Sequence, residues 1–183
     1  MDQVINGTSS AGVRAVINRR ALAATLSAIA DGGDVHSTAS RDGIRDALKA
    51  ALGDGREEIQ RLFEDGARAI DCAKSTARVT DQILRSLYDF MITHVHPNAN
   101  TSRGERLALV AVGGYGRSEM APHSDVDLLF LQPYKETPWG KQALEYLLYM
   151  LWDLGLKVGY ATRSISECIQ LAKADITIRT TII

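Results

Sequence analysis

The chain has 183 residues, 45% of them hydrophobic and 23% charged, enough apolar material for one domain with a core, or for a domain with a helical appendage. Its formal net charge of −1 offers no global attraction to nucleic acid or an anionic membrane, so any recognition of phosphate has to be local. No apolar run approaches the ~20 residues that span a bilayer, and the opening MDQVINGTSS is no basic-then-apolar leader; a cytoplasmic location is expected, with no membrane or nucleic-acid partner.

Residues 1 to 12 are polar and read as loose. Val13, Val16, Ile17, Leu22, Leu26 and Ile29 lie near helical spacing and predict a helix from Val13 to Ala30, ended by Asp31, Gly32 and Gly33. After a linker, Ser40 is the expected cap of a short helix to Leu52, closed by Gly53 and Gly55. From Arg56 to Val95 there is no proline, and a broken apolar stripe through Ile59, Phe63, Ile70, Val79, Ile83 and Leu87 predicts one long helix. A bend is expected near Gly66 or around Ser75 and Thr76. Pro97 ends the helix, and HPNANTSRGER is a polar connector. His94 and His96 are two apart and would point to different sides of a helix, which disfavours a shared metal. Cys72 and Cys168 belong to no CxxC pair and read as reduced thiols.

The second half changes character. Arg106 to Val112 predicts a buried strand and Ser124 to Leu131 a second, joined by a loop too long for a tight hairpin. A helix from Pro138 to Asp153 should stop at Gly155, and Leu156 to Thr162, LKVGYAT, predicts a third strand. Ser164 with Glu167 forms a capping box for a helix to Ala174, and Asp175 or Thr177 can open another. The fold class is therefore α+β: a helical N-terminal segment followed by a small mixed β-sheet core with flanking helices. We divide it into a variable extension over 1–54, a helical lead-in over 55–97 and the core over 98–183.

Chemistry concentrates in Val110 to Leu131, VAVGGYGRSEMAPHSDVDLLFL. Asp125 and Asp127 are two apart, so on a strand they share a face, and two carboxylates so close repel unless a cation lies between them. Oxygen ligands beside a polyphosphate favour Mg²⁺. Gly113 and Gly114 follow a strand directly, where bare backbone lets amides approach phosphate oxygens. Arg117 and Ser118 add a guanidinium and a hydroxyl suited to phosphates. A P-loop is excluded because no GxxxxGK string exists, and a dinucleotide turn because Glu119 stands where glycine or alanine is required.

A glycine pair, a short spacer and DxD on the next strand resemble the nucleotidyltransferase superfamily that includes DNA polymerase beta. The fuller string GGYGRSEMAPHSDVDLLFL, with WDLGLKVGYATRS downstream, resembles the amino-terminal catalytic domain of the bacterial PII uridylyltransferase family most closely over residues 105 to 183. The resemblance implies a polymerase beta-like core that transfers UMP from UTP to a tyrosine hydroxyl of the nitrogen-signalling protein PII, releasing pyrophosphate. It implies that Gly113, Gly114, Arg117 and Ser118 hold the triphosphate, and that Asp125 and Asp127 are the catalytic carboxylates that hold Mg²⁺. The chain departs from the family in two ways. LKVGYAT carries no third carboxylate, and Asp153, Glu167 and Asp175 are not evident substitutes, so the general base is unassigned. The family's HD hydrolase and ACT domains have no counterpart within 183 residues, so the chain is expected to be a truncated form without deuridylylation or glutamine control. Two alternatives stay open: adenylyl or other nucleotidyl transfer to a different acceptor, and a catalytically incomplete domain that only binds nucleotide.

Overall fold

A computed structural model describes residues 17–98, 105–133 and 136–182. Three long helices come first: α1 (Arg19–Asp31), α2 (Thr38–Glu64) and α3 (Ala69–Phe90), the last running into a π-helical turn over Met91–Val95. Then come β1 (Ala108–Ala111), the single turn α4 (Gly113–Gly116), β2 (Val126–Gln132), α5 (Pro138–Asp153), β3 (Val158–Ser164), α6 (Ile165–Ala174) and α7 (Ile176–Ile182). This is the expected α+β arrangement, a helical region followed by a small mixed sheet.

The helix boundaries differ from the sequence reading, and the reasons are local. Asn18 caps α1, its side chain accepting from the Ala21 amide at 3.0 Å; positions 13–16 of the helix predicted from Val13 lie outside the described residues. Ser37, not Ser40, caps α2 by accepting from the Ser40 amide at 3.2 Å, while the buried Ser40 hydroxyl donates to the Asp34 carbonyl at 2.8 Å. The helix then runs through Gly53 and Gly55 to Glu64, because neither glycine takes a left-handed conformation there. A glycine costs a helix interior only about 1 kcal/mol, and the burial of Leu48, Leu52 and Ile59 along one face outweighs that. Gly66 is where a left-handed residue is required: its φ is +94°, and the Ala67 amide donates to the Leu62 carbonyl at 2.9 Å in a Schellman closure. The single long helix expected from Arg56 to Val95 is therefore two helices folded back on each other. α3 is unbroken at Ser75 and Thr76, whose hydroxyls donate to the Asp71 and Cys72 carbonyls.

The sheet has the order β1-β2-β3, with β1 antiparallel and β3 parallel to β2. The expected strands are present, each displaced or shortened by a residue or two. β2 is central, and Val126, Leu128 and Phe130 on one of its faces are buried. β1 is half-covered and not buried as its apolar sequence predicts, because it is an edge strand. α5 matches its predicted span and ends in a second Schellman closure at Gly155, φ +76°. The Ser164–Glu167 capping box opens α6 as expected.

One core joins the two halves: Ile83, Leu87 and Met91 of the α3 arm, Leu128 and Phe130 of β2, and Leu147 and Leu151 of α5 belong to a single cluster. Polar links reinforce it. The Tyr88 hydroxyl donates to the Leu107 carbonyl at 3.0 Å, and the Trp139 indole donates to the His96 carbonyl at 2.9 Å. His94 stacks on Phe90 near Ser27, whereas His96 faces Tyr146 and His36, so the two histidines serve separate contacts. Cys72 and Cys168 are free, partly exposed thiols.

Candidate active site

Asp127 lies on β2, directly opposite Gly159 of β3, and its backbone carbonyl accepts from the Val112 amide at 3.1 Å. Its carboxylate occupies a slot between two glycines. A Cβ at Gly159 would stand 2.6 Å from Asp127 Oδ1, and one at Gly113 would stand 3.1 Å from Oδ2. Gly113 also has φ +61°, so the turn needs glycine there on two counts. Beyond the phosphate access expected of its bare backbone, the missing side chain of Gly113 makes room for a carboxylate.

Asp125 precedes β2 by one residue and is exposed, so it stands at the strand entry, not within it, while Asp127 is half-buried. Val126, between them, is buried, which places the two carboxylates away from the core.

The turn after β1 is a single helical turn from Gly113 to Gly116. The amides that open a helix have no acceptor within it, and here those amides belong to Gly113, Gly114 and Tyr115. Gly116 is required by packing, since a Cβ would meet the Ala111 carbonyl oxygen at 2.7 Å. Arg117 and Ser118 follow on the exposed side. Arg117 reaches the Glu119 carboxylate at 3.4 Å, and Ser118 holds a left-handed φ of 59°. The structure thus brings Gly113 and Asp127 into contact and leaves Arg117 and Ser118 at the rim.

Tyr115 anchors the turn from beneath. Its ring is 4% exposed, and its hydroxyl donates to Asp81 Oδ1 of α3 at 2.7 Å. Burial, then the hydrogen bond to Asp81, pushes the phenol well above its ordinary range, so it stays protonated as the donor.

A family model described as "Putative nucleotidyltransferase DUF294" matches residues 54–162. The chain belongs to this nucleotidyltransferase family. Over 174 residues it is 53% identical to a bifunctional uridylyltransferase/uridylyl-removing enzyme of Rhodospirillum rubrum, covering 91% of this chain and 18% of that protein. Proteins of the same description from Azospirillum brasilense and Caulobacter vibrioides are 47% and 48% identical, over 93% and 92% of this chain and 18% of each relative. The chain therefore spans less than a fifth of the length of these relatives. No solved structure matches it significantly.

A nucleotidyltransferase of this kind raises the question of a metal. The donor set fits Mg²⁺, which is commonly bound by one or two carboxylates together with substrate phosphates and waters. Asp125 and Asp127 would supply those carboxylates, and the glycine slot holds the second of them. Among the described residues, no three His, Cys, Asp or Glu side chains gather in a way that could hold an ion. The acids considered as a third carboxylate are engaged elsewhere. Asp153 pairs with Arg41 at 3.0 Å, Glu167 accepts from the Ser164 amide at 2.7 Å, and Asp175 accepts from the Thr177 amide at 2.7 Å. That bond from the Ser164 backbone is also the main reason the Glu167 carboxyl lies below its ordinary value.

Three residues that shape this candidate site carry no reading in the sequence analysis: Gly116, Gly159 and Asp81. Gly159 had a usable signal, since a lone glycine inside a strand marks close approach of another group. Asp81 had none, because only the tertiary fold brings α3 under the turn.

A cavity of about 830 Å³ lies behind the Glu119–Ser124 loop, against Ile59, Phe63 and Val79 of the α2–α3 hairpin. Neither Asp125 nor Asp127 lines it. No helix among the described residues is long and apolar enough to cross a membrane.

Proposed function

We propose that this chain carries the site for Mg²⁺-dependent transfer of UMP from UTP to a tyrosine hydroxyl of a PII-type signalling protein, with release of pyrophosphate. The observation that supports this most is the Asp127 carboxylate held between Gly113 and Gly159 at the second residue of β2, two positions after the exposed Asp125 at the strand entry. Family membership and identity to uridylyltransferases support the same reading.

In this reading Asp125 and Asp127 hold the cation, Gly113 and Gly114 present backbone amides to the triphosphate, and Arg117 and Ser118 close on its outer oxygens. Bound Mg²⁺ supplies charge neutralisation on the phosphates and on the departing pyrophosphate. The acceptor oxygen forms a bond to the α phosphorus as the bond to the oxygen bridging the α and β phosphorus atoms breaks, pyrophosphate leaves, and the hydroxyl proton passes to water or to the departing pyrophosphate. The protein's share is positioning: Tyr115 fixes the turn to α3, and the glycine slot fixes Asp127 to the sheet. Arg117 gives up its weak exposed pairing with Glu119 at little cost when a phosphate arrives.

Incubation with UTP labelled at the α phosphorus, Mg²⁺ and PII tests this. Label should move to PII with the wild-type chain and not with Asp125→Ala/Asp127→Ala; equal transfer by the double variant refutes the assignment. A second reading, nucleotide binding without turnover, is favoured by one observation: the strand beside Asp127 presents Gly159 and no carboxylate. UTP binding without pyrophosphate release would select it.

A further inference from the structure

The central feature of β3 is a missing side chain beside the carboxylate. Asp127 and Gly159 are register partners across the parallel β2–β3 pair, so their Cα atoms are fixed by the sheet ladder. A Cβ at Gly159 would stand 2.6 Å from Asp127 Oδ1, whereas ordinary van der Waals contact needs a separation roughly 1 Å larger. Gly159 is not in a left-handed conformation, so its backbone conformation does not itself require glycine; among the described residues, what a Cβ there would meet is the Asp127 carboxylate. On the other side, Gly113 limits Oδ2 in the same way.

We propose that Gly159 is a positioning residue: its bare backbone lets the Asp127 carboxylate lie across the β3 edge, fixed between Gly159 and Gly113, in the orientation that presents it to a cation. The proposal rests on the reading of Asp127 as a cation ligand and deepens it. Groups that orient a ligand matter nearly as much as the ligand, with typical losses of 10–100-fold when they are changed. A carboxylate displaced by about 1 Å is expected to lose that much. The neighbouring strand thus contributes to the site through space in place of a third acid.

The test uses the 183-residue chain in three forms: wild type, Gly159→Ala and Asp127→Asn. In the metal-free protein, the ¹³C carboxyl resonance of Asp127 should move in Gly159→Ala. With Mn²⁺ as the probe cation and UTP present, Gly159→Ala should bind Mn²⁺ at least about 10-fold more weakly than wild type, approaching Asp127→Asn. Its thermal midpoint should stay within a few degrees of wild type, which a merely structural role does not combine with a lost cation. An unmoved Asp127 resonance, or wild-type Mn²⁺ affinity in Gly159→Ala, overturns the proposal. If wild type itself binds no Mn²⁺–UTP, the proposed function fails, and the Asp127 resonance alone decides whether Gly159 positions the carboxylate. If Gly159→Ala does not fold, Asp127→Ala in the same chain should restore folding, because it removes the group that a Cβ would meet; failure to restore it also overturns the proposal.

Discussion

Tyr115→Phe tests whether the glycine turn is tied to the helical half. The substitution keeps the buried ring, opens no cavity and deletes one hydroxyl that donates to Asp81 at 2.7 Å. Hydrogen bonds to charged acceptors contribute about 1.5–3 kcal/mol. Asp81 is half-exposed and Arg85 lies close enough to influence the tyrosine, so water and Arg85 recover part of the loss and about 1–2 kcal/mol is expected. For a chain of this size that corresponds to a thermal midpoint lower by about 2–8 °C. Urea denaturation of Tyr115→Phe, Asp81→Ala and the double variant gives the coupling directly, because asparagine at 81 would keep an acceptor oxygen. The double variant should be little less stable than either single one. Strict additivity, with a coupling below about 0.3 kcal/mol, refutes the tether.

Two further perturbations follow from the same geometry. Gly53→Ala should stabilise the chain by about 0.5–1 kcal/mol, because the site is mid-helix and a Cβ there meets nothing within 4 Å; a lower thermal midpoint contradicts the continuous α2. His96, lowered from the ordinary 6.5 first by burial and then by His36, takes up a proton more readily unfolded than folded. Stability from this residue is complete above that value and falls as the pH drops through it. His96→Gln should flatten the change in thermal midpoint between about pH 7.5 and 5.5, and an unchanged slope contradicts the assignment.

Much of this fold is legible in the sequence because its elements are marked by local chemistry. Pro138 after Thr137 starts α5, Gly155 stops it, and the Ser164–Glu167 box opens α6; each is a short-range signal that the packing left intact. Gly53 and Gly66 show where such signals fail. Both are glycines at the edge of an apolar stripe, yet one sits inside a helix and the other ends it. The difference lies in which carbonyl the following amide reaches, and that depends on where α2 and α3 pack. The candidate site divides in the same way. Its glycine pair and DxD spacing are contiguous in sequence, so their pattern can be read directly. Gly159 and Asp81 reach it only through the parallel β2–β3 pairing and the placement of α3 beneath the turn, which are long-range consequences of the core.

The central claim is that Asp125 and Asp127 bind nucleotide through a cation, and equilibrium binding of UTP with and without Mg²⁺ tests it most directly. Wild type should bind UTP at least about 10-fold more tightly with Mg²⁺, because two unscreened carboxylates otherwise face a polyphosphate, and Asp127→Asn should lose that dependence. UTP affinity in wild type that is indifferent to Mg²⁺, or a Mg²⁺ dependence that survives Asp127→Asn unchanged, contradicts the account.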